Sequence, residues 1–176
     1  KQLDHEYNEV FAPSSKDLNL LNYDDFRNIS DKFDEIYHLA AWTQAGDFCL
    51  KNPGLQWIKN QQMNTNIIKW WNEHQENSKL IFIGTSCCYN EYGNHSEENY
   101  ISDAPHKSLF TYAFTKKMLL LGAKSCQQQF NMKWFSPIPS TLYGSNYHTD
   151  ERQQHFIFDL IRKILSAKKN NQQVQL

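Results

Sequence analysis

This sequence lacks charge of one sign: 18 Lys and Arg stand against 19 Asp and Glu. A balanced chain has no field to hold a nucleic acid or an anionic membrane, so neither partner is expected. No apolar run nears the roughly 20 residues of a membrane span, and no charged-then-apolar leader opens the chain. Cysteine is sparse, at positions 49, 87, 88 and 126. No C-x-x-C occurs, so a structural zinc site is not expected. The vicinal Cys87-Cys88 pair cannot close on itself without strain. Four free thiols imply a reducing compartment, hence the cytoplasm. The 176 residues suit one domain with a real core. The first residue is Lys1 rather than Met, which reads as a trimmed chain.

The patterning that is present alternates. Strands are expected at Glu9–Ala12, Glu35–Ala41, Lys79–Ile83 and Met132–Ile138, as short apolar runs. Helices are expected at Asp24–Phe33, Leu55–His74, Ser108–Phe130 and His155–Ala167, from apolar residues at helical spacing. Residues 90–107 are polar and aperiodic, a long loop, and the tail from Lys168 is polar. Strands that are continuous apolar runs, alternating with helices, give a parallel sheet covered on both faces. Ligands bind such sheets at the carboxyl ends of the strands. "GTSCCYN", residues 84–90, lies at one of those ends.

"TYAFTKKM", residues 111–118, places Tyr112 and Lys116 four apart on one helix face. An ammonium beside a phenol lowers the phenol pKa toward neutrality and makes it a usable proton donor. An isolated Y-x-x-x-K is more often a surface lysine beside a packed tyrosine. Here three further features accompany it: Thr85 at a strand end, "HLAA" (residues 38–41) closing the preceding strand, and "PSTLYG" (residues 139–144) closing the following one.

Together these resemble the extended short-chain dehydrogenase/reductases, and within them the GDP-L-fucose synthases. "GTSCCYN" is similar to their G-S-S-C-x-Y-P segment, "KNQQMNTNII" (59–68) to their Q-N-x-x-x-x-x-N-I-I helix, and "KDLNLLN" (16–22) to E-L-N-L-L-D. "YGSNYHTDERQQH" (143–155) is similar to Y-G-P-H-D-N…H, with His155 eleven residues after Gly144. The resemblance implies an α/β, Rossmann-like doubly wound parallel sheet. It implies a partial NADP-binding domain over 1–150 and the start of a substrate-binding region over 151–176. The activity implied is 3,5-epimerisation and 4-reduction of a GDP-4-keto-6-deoxy-mannose-type sugar with NADPH. Cys87 would be the base and His155 the acid. Thr85 and Tyr112 would hold the ketone oxygen, and Lys116 would tune Tyr112 and bind the nicotinamide ribose. Ser14, Ser15, Lys16, Leu18, Leu39, Ala40, Ala41, Asn60, Pro139, Leu142 and His155 would line the cofactor. Ser86, Thr141 and Lys163 would face the sugar nucleotide. Leu119–Leu121 on the Tyr112 helix hint at the family's helix–helix homodimer.

Cofactor choice also has a local argument. NAD sites place an acid after the second strand. Here Ala12-Pro13-Ser14-Ser15-Lys16 offers hydroxyls and a cation, which suits the 2′-phosphate of NADP(H).

The sequence also departs from the pattern. It has six glycines and no G-x-x-G-x-x-G turn to seat a pyrophosphate. That reads as a fragment beginning at the second strand, unable by itself to turn over. Thr141 replaces an Asn, Ser145 a Pro, and Lys163 an Arg, and Lys does not substitute for bidentate Arg. Two enzyme alternatives stand, a plain nucleotide-sugar 4-reductase or 4-epimerase, beside a non-catalytic reductase-fold module. Cys88 reads as a buried filler, His38 as a packed strand residue, and Trp57, Trp70 and Trp71 as core or subunit interface. Cys49 and Cys126 receive no role.

Overall fold

The computed structural model describes residues 9–44, 47–140, 142, 144 and 156–174. Among the described residues three strands form: β1 (Glu35–His38), β2 (Lys79–Phe82) and β3 (Lys133–Phe135). They pair in that order and all parallel, with Ile36 opposite Leu80 and Leu80 opposite Trp134. Helix α1 (Phe48–Lys51) and helix α2 (Pro53–His74) carry the chain from β1 to β2. Helix α3 (Asn99–Ser102) and helix α4 (Phe110–Phe130) carry it from β2 to β3, and helix α5 (Phe156–Asn170) follows.

The two long helices pack on each other, so both crossovers cover one sheet face. Ile36, Leu80, Phe82 and Trp134 point to that face and join Phe26, Ile67, Trp70, Trp71 and Leu119 in one core. Leu80 and Phe82 are fully buried, each stabilising by about 1.5–3 kcal/mol. The other face carries Tyr37 and Phe135, which are 38% and 54% exposed. Gly122 lets α4 approach α2 closely, since a Cβ there would lie 2.5 Å from Ile68 Cδ1.

Three of the four expected strands form, shorter than expected, and the long helices lie where the patterning put them. The expected strand at Glu9–Ala12 does not form. A strand exists only where a neighbour completes its ladder, and among the described residues β1 is paired on one side alone, with β2. Phe11 instead stacks on Phe33 at 5.8 Å. The expected helix at Asp24–Phe33 is a shorter 3-10 helix, Tyr23–Asn28, with Asn22 accepting from the Asp24 amide. Residues 90–107 are less irregular than expected. Helix α3 interrupts them, and Lys117 ties its end down by donating to the carbonyls of Ile101 and Asp103. Trp70 and Trp71 are core, whereas Trp57 is 42% exposed.

The buried face of α2 is not simply apolar. Gln56, Asn60, Asn64 and Asn66 are all buried. Their amides stitch loops to the helix: Asn66 donates to the Leu20 carbonyl at 2.8 Å, and Asn60 to that of Trp42 at 3.1 Å.

Candidate active site

β2 ends at Phe82, and the chain turns at once into a 3-10 helix, Ser86–Cys88. Thr85 caps that turn, its Oγ1 accepting from the Cys87 amide at 3.3 Å. Its own amide donates to the buried Tyr100 hydroxyl at 3.2 Å. Gly84 makes the bend possible, since a Cβ there would meet Ile138 Cγ1 at 3.0 Å and the Tyr100 hydroxyl at 3.1 Å. The turn packs on α4, where the Cys88 thiol donates to the Ala113 carbonyl at 3.4 Å. Cys88 is thus the buried filler expected, its thiol pushed up to about 11 by burial. Thr85, Ser86 and Cys87 remain partly exposed at the carboxyl edge.

Tyr112 and Lys116 sit on the helix that receives this turn. The Lys116 ammonium lies over the Tyr112 ring, 5.8 Å from its centroid. The expected lowering of the Tyr112 pKa is not found. Burial pushes its phenol up to about 12, and the thiols of Cys87, Cys49 and Cys88 push the same way. Burial pulls Lys116 down to about 8. Desolvation is the leading cause at both groups, with Tyr112 half-buried and Lys116 buried. Tyr112 is therefore a protonated donor at neutral pH. The turn that carries Ser86 and Cys87 packs on α4, the helix of Tyr112 and Lys116.

Cys49 is the neighbour that sequence reasoning missed. It lies on α1, is buried, and accepts from Gln56 Nε2 at 3.2 Å. Nothing local marks it, because α1 is brought near by its packing on the Lys107–Leu109 turn that precedes the Tyr112 helix.

The cofactor-lining candidates divide. Leu39 and Ala40 are exposed just beyond β1, and Ala41 is half-buried. Asn60 does not present a free amide. Its Oδ1 accepts from the Trp42 amide at 2.8 Å and its Nδ2 donates to the Trp42 and Gln56 carbonyls, so it shapes the loop after β1. Ser14, Ser15 and Lys16 form an exposed turn in which Ser14 Oγ donates to Asp17 Oδ2 at 2.6 Å. Leu18 packs against the core. Pro139 is half-buried and Leu142 is 67% exposed. Lys163 is paired with Asp159 of its own helix at 3.1 Å. Thr141 and His155 lie outside the described residues. The donor set present, two serine hydroxyls with Lys16 and the buried Lys116, fits the phosphate and ribose groups of a dinucleotide.

Comparison with known proteins bears on the family and the fold. At 26% identity over 174 residues the chain is similar to the GDP-L-fucose synthase of Escherichia coli (strain K12), covering 93% of this chain and 52% of that protein. The GDP-L-fucose synthase of Dictyostelium discoideum is 28% identical, over 95% of this chain and 53% of its own. The chain thus spans about half the length of the curated relatives it matches. A GDP-L-fucose synthetase structure from Naegleria fowleri bound to NADP superposes with a TM-score of 0.70 at 24% identity, over 92% of this chain and 54% of that one. A GDP-D-glycero-L-gluco-heptose synthase from Campylobacter jejuni, solved in the presence of NADPH, gives 0.83 at 17% identity, over 97% and 52%. The sequence profile described as "NAD dependent epimerase/dehydratase family" matches residues 2–176, and the chain belongs to that family.

Proposed function

We propose that the protein containing this chain is a nucleotide-sugar 3,5-epimerase and 4-reductase acting on a GDP-4-keto-6-deoxy-mannose-type sugar with NADP(H). The observation that carries this is the placement of Cys87 on the same strand-end turn as Thr85, beside a Tyr112 held in its protonated form. The names of the similar proteins support the sugar class. A GDP-L-colitose synthase of Yersinia pseudotuberculosis at 26% identity leaves the exact GDP-deoxy sugar open.

Protons beside a ketone are weakly acidic, and each inversion needs one group to remove a proton and another to return one on the opposite face. Cys87 is the base and His155 the acid. Thr85 and Tyr112 hold the ketone oxygen and stabilise the enolate charge. Bound NADPH supplies the hydride that reduces the ketone carbon. Tyr112 gives its proton to the oxygen, and Lys116, already positioned behind it, binds the ribose hydroxyls. Ser14, Ser15 and Lys16 take the 2′-phosphate, with Leu18, Leu39, Ala40, Ala41, Pro139 and Leu142 along the dinucleotide. Ser86, Thr141 and Lys163 face the sugar nucleotide. Residues 1–150 serve the cofactor and 151–176 begin the substrate region. The four free thiols suit a reducing cytoplasm. Exposed Ile58 on α2, with Met118, Leu121 and Phe130 on α4, suits a homodimer formed through those two helices.

The test is NADPH oxidation by the full-length protein on GDP-4-keto-6-deoxy-mannose. Consumption tied to reduced sugar supports the proposal. Absence of consumption with every GDP-4-keto sugar would leave the non-catalytic module.

A further inference from the structure

His38 closes β1 and is 3% exposed, a buried titratable group with no place in the chemistry above. Its Nε2 lies 3.1 Å from Asn64 Oδ1 on α2. Asn64 is 6% exposed, and its Nδ2 donates to the Thr115 carbonyl on α4 at 3.1 Å. That carbonyl can only accept, which fixes the amide orientation, so Oδ1 faces His38 and Nε2 of the ring carries a hydrogen. Thr115 is itself 1% exposed and donates through Oγ1 to the Tyr112 carbonyl at 2.7 Å. One hydrogen-bonded line therefore runs from the sheet, through α2, into the turn of α4 that holds Tyr112 and Lys116.

We infer that His38 and Asn64 are positioning residues for Lys116, clamping the Tyr112–Lys116 turn from behind. The inference rests on the reading of Lys116 as a ribose-binding cation. A lysine reaches its target through four rotatable bonds, so where its ammonium arrives depends on how firmly its backbone is held. Supporting hydrogen bonds of this kind are what fix a site to within a fraction of an ångström. Among the described residues, titratable groups from three elements face the ammonium. Tyr112 lies on its own helix, Cys88 comes from the turn after β2, and His38 from β1, while α2 offers the uncharged Asn64. Burial keeps His38 neutral, with a pKa of about 4, so the line adds no second cation beside Lys116.

The experiment is NADPH binding by the full-length protein, followed by cofactor fluorescence across pH 7 to 10, with folding checked by circular dichroism. Binding needs no sugar, so a failed reductase assay with intact binding overturns the proposed function and not this inference. In wild type, affinity should fall as pH rises through about 8, where Lys116 loses its proton. Asn64→Leu removes both bonds of the clamp at similar volume. It should weaken binding about tenfold at pH 7 and move the break up by about one pH unit, as the freed ammonium reaches water. Asn64→Asp, which keeps the size should the leucine variant misfold, should move the break the same way. His38→Phe, which removes one of the two bonds, should shift the profile the same way but less, and His38→Gln, which keeps a donor toward Asn64, should restore the wild-type profile. Folded Asn64 and His38 variants that all bind with the wild-type profile would make these residues ordinary core and overturn the inference.

Discussion

The Lys116 ammonium lies over the face of the Tyr112 ring, 5.8 Å from its centroid, and the fold moves both groups away from their charged forms. The phenol rises to about 12 and the ammonium falls to about 8. Reduction of a ketone needs an acid that still holds its proton when hydride arrives. A phenol is protonated at neutral pH and burial raises this one further, while the lysine still carries its charge below about pH 8.

Tyr112→Phe should therefore remove reduction without removing the cofactor. The full-length variant should bind NADPH within about twofold of wild type while kcat falls by about a hundredfold or more, because the proton is delivered only in the transition state. Steady-state kinetics beside a binding titration separate the two. An unchanged kcat would take Tyr112 out of the reaction.

His38 should leave a mark on stability. Its folded pKa, about 4, lies below the ordinary 6.5. The unfolded chain then binds more protons as pH drops, so stability is full above 6.5 and is lost as pH falls toward 4. The loss over that window amounts to about 3 kcal/mol. Asp17, Glu76, Glu98 and Asp159, whose carboxyls are held below their ordinary values, are common to wild type and variant. Urea midpoints of the full-length protein between pH 4.5 and 6.5 should fall for wild type and stay level for His38→Gln. Parallel curves would show that His38 is not buried neutral.

Much of this arrangement was legible before any coordinates. The strand-end position of "GTSCCYN" and the four-residue spacing of Tyr112 and Lys116 follow from local periodicity, and both hold. What the pattern missed depends on contacts between distant segments. Whether Glu9–Ala12 becomes a strand depends on a partner for its ladder, which no local pattern reveals. The direction of the Tyr112 shift depends on burial, and Lys116 alone argued the opposite way. Cys49 reaches Tyr112 through packing of α1 on a turn some sixty residues later. Gln56, Asn60 and Asn64 do leave a signal, amides every four residues along one face of α2, which apolar spacing alone does not read.

Gly84→Ala should disturb the strand-end turn. The added carbon would meet Ile138 Cγ1 at 3.0 Å, the Tyr100 hydroxyl at 3.1 Å and the Pro137 carbonyl at 3.3 Å. Tyr100 would be pushed from the Thr85 amide it accepts from. A stability loss of about 1–3 kcal/mol is expected, read as a lower urea midpoint, together with slower reduction. Wild-type values for both would show that the turn has room.

The most direct measurement of the central claim is mass spectrometry of the sugar formed by the full-length protein in deuterium oxide with NADPH. The account predicts deuterium at carbons 3 and 5 with wild type. It predicts none with Cys87→Ser, whose hydroxyl is too weak an acid to form the base, while NADPH oxidation continues slowly through Thr85, Tyr112 and Lys116. Reduced sugar without deuterium from the wild-type protein would contradict the epimerase and leave a plain 4-reductase, and equal deuterium from Cys87→Ser would assign the base to another residue.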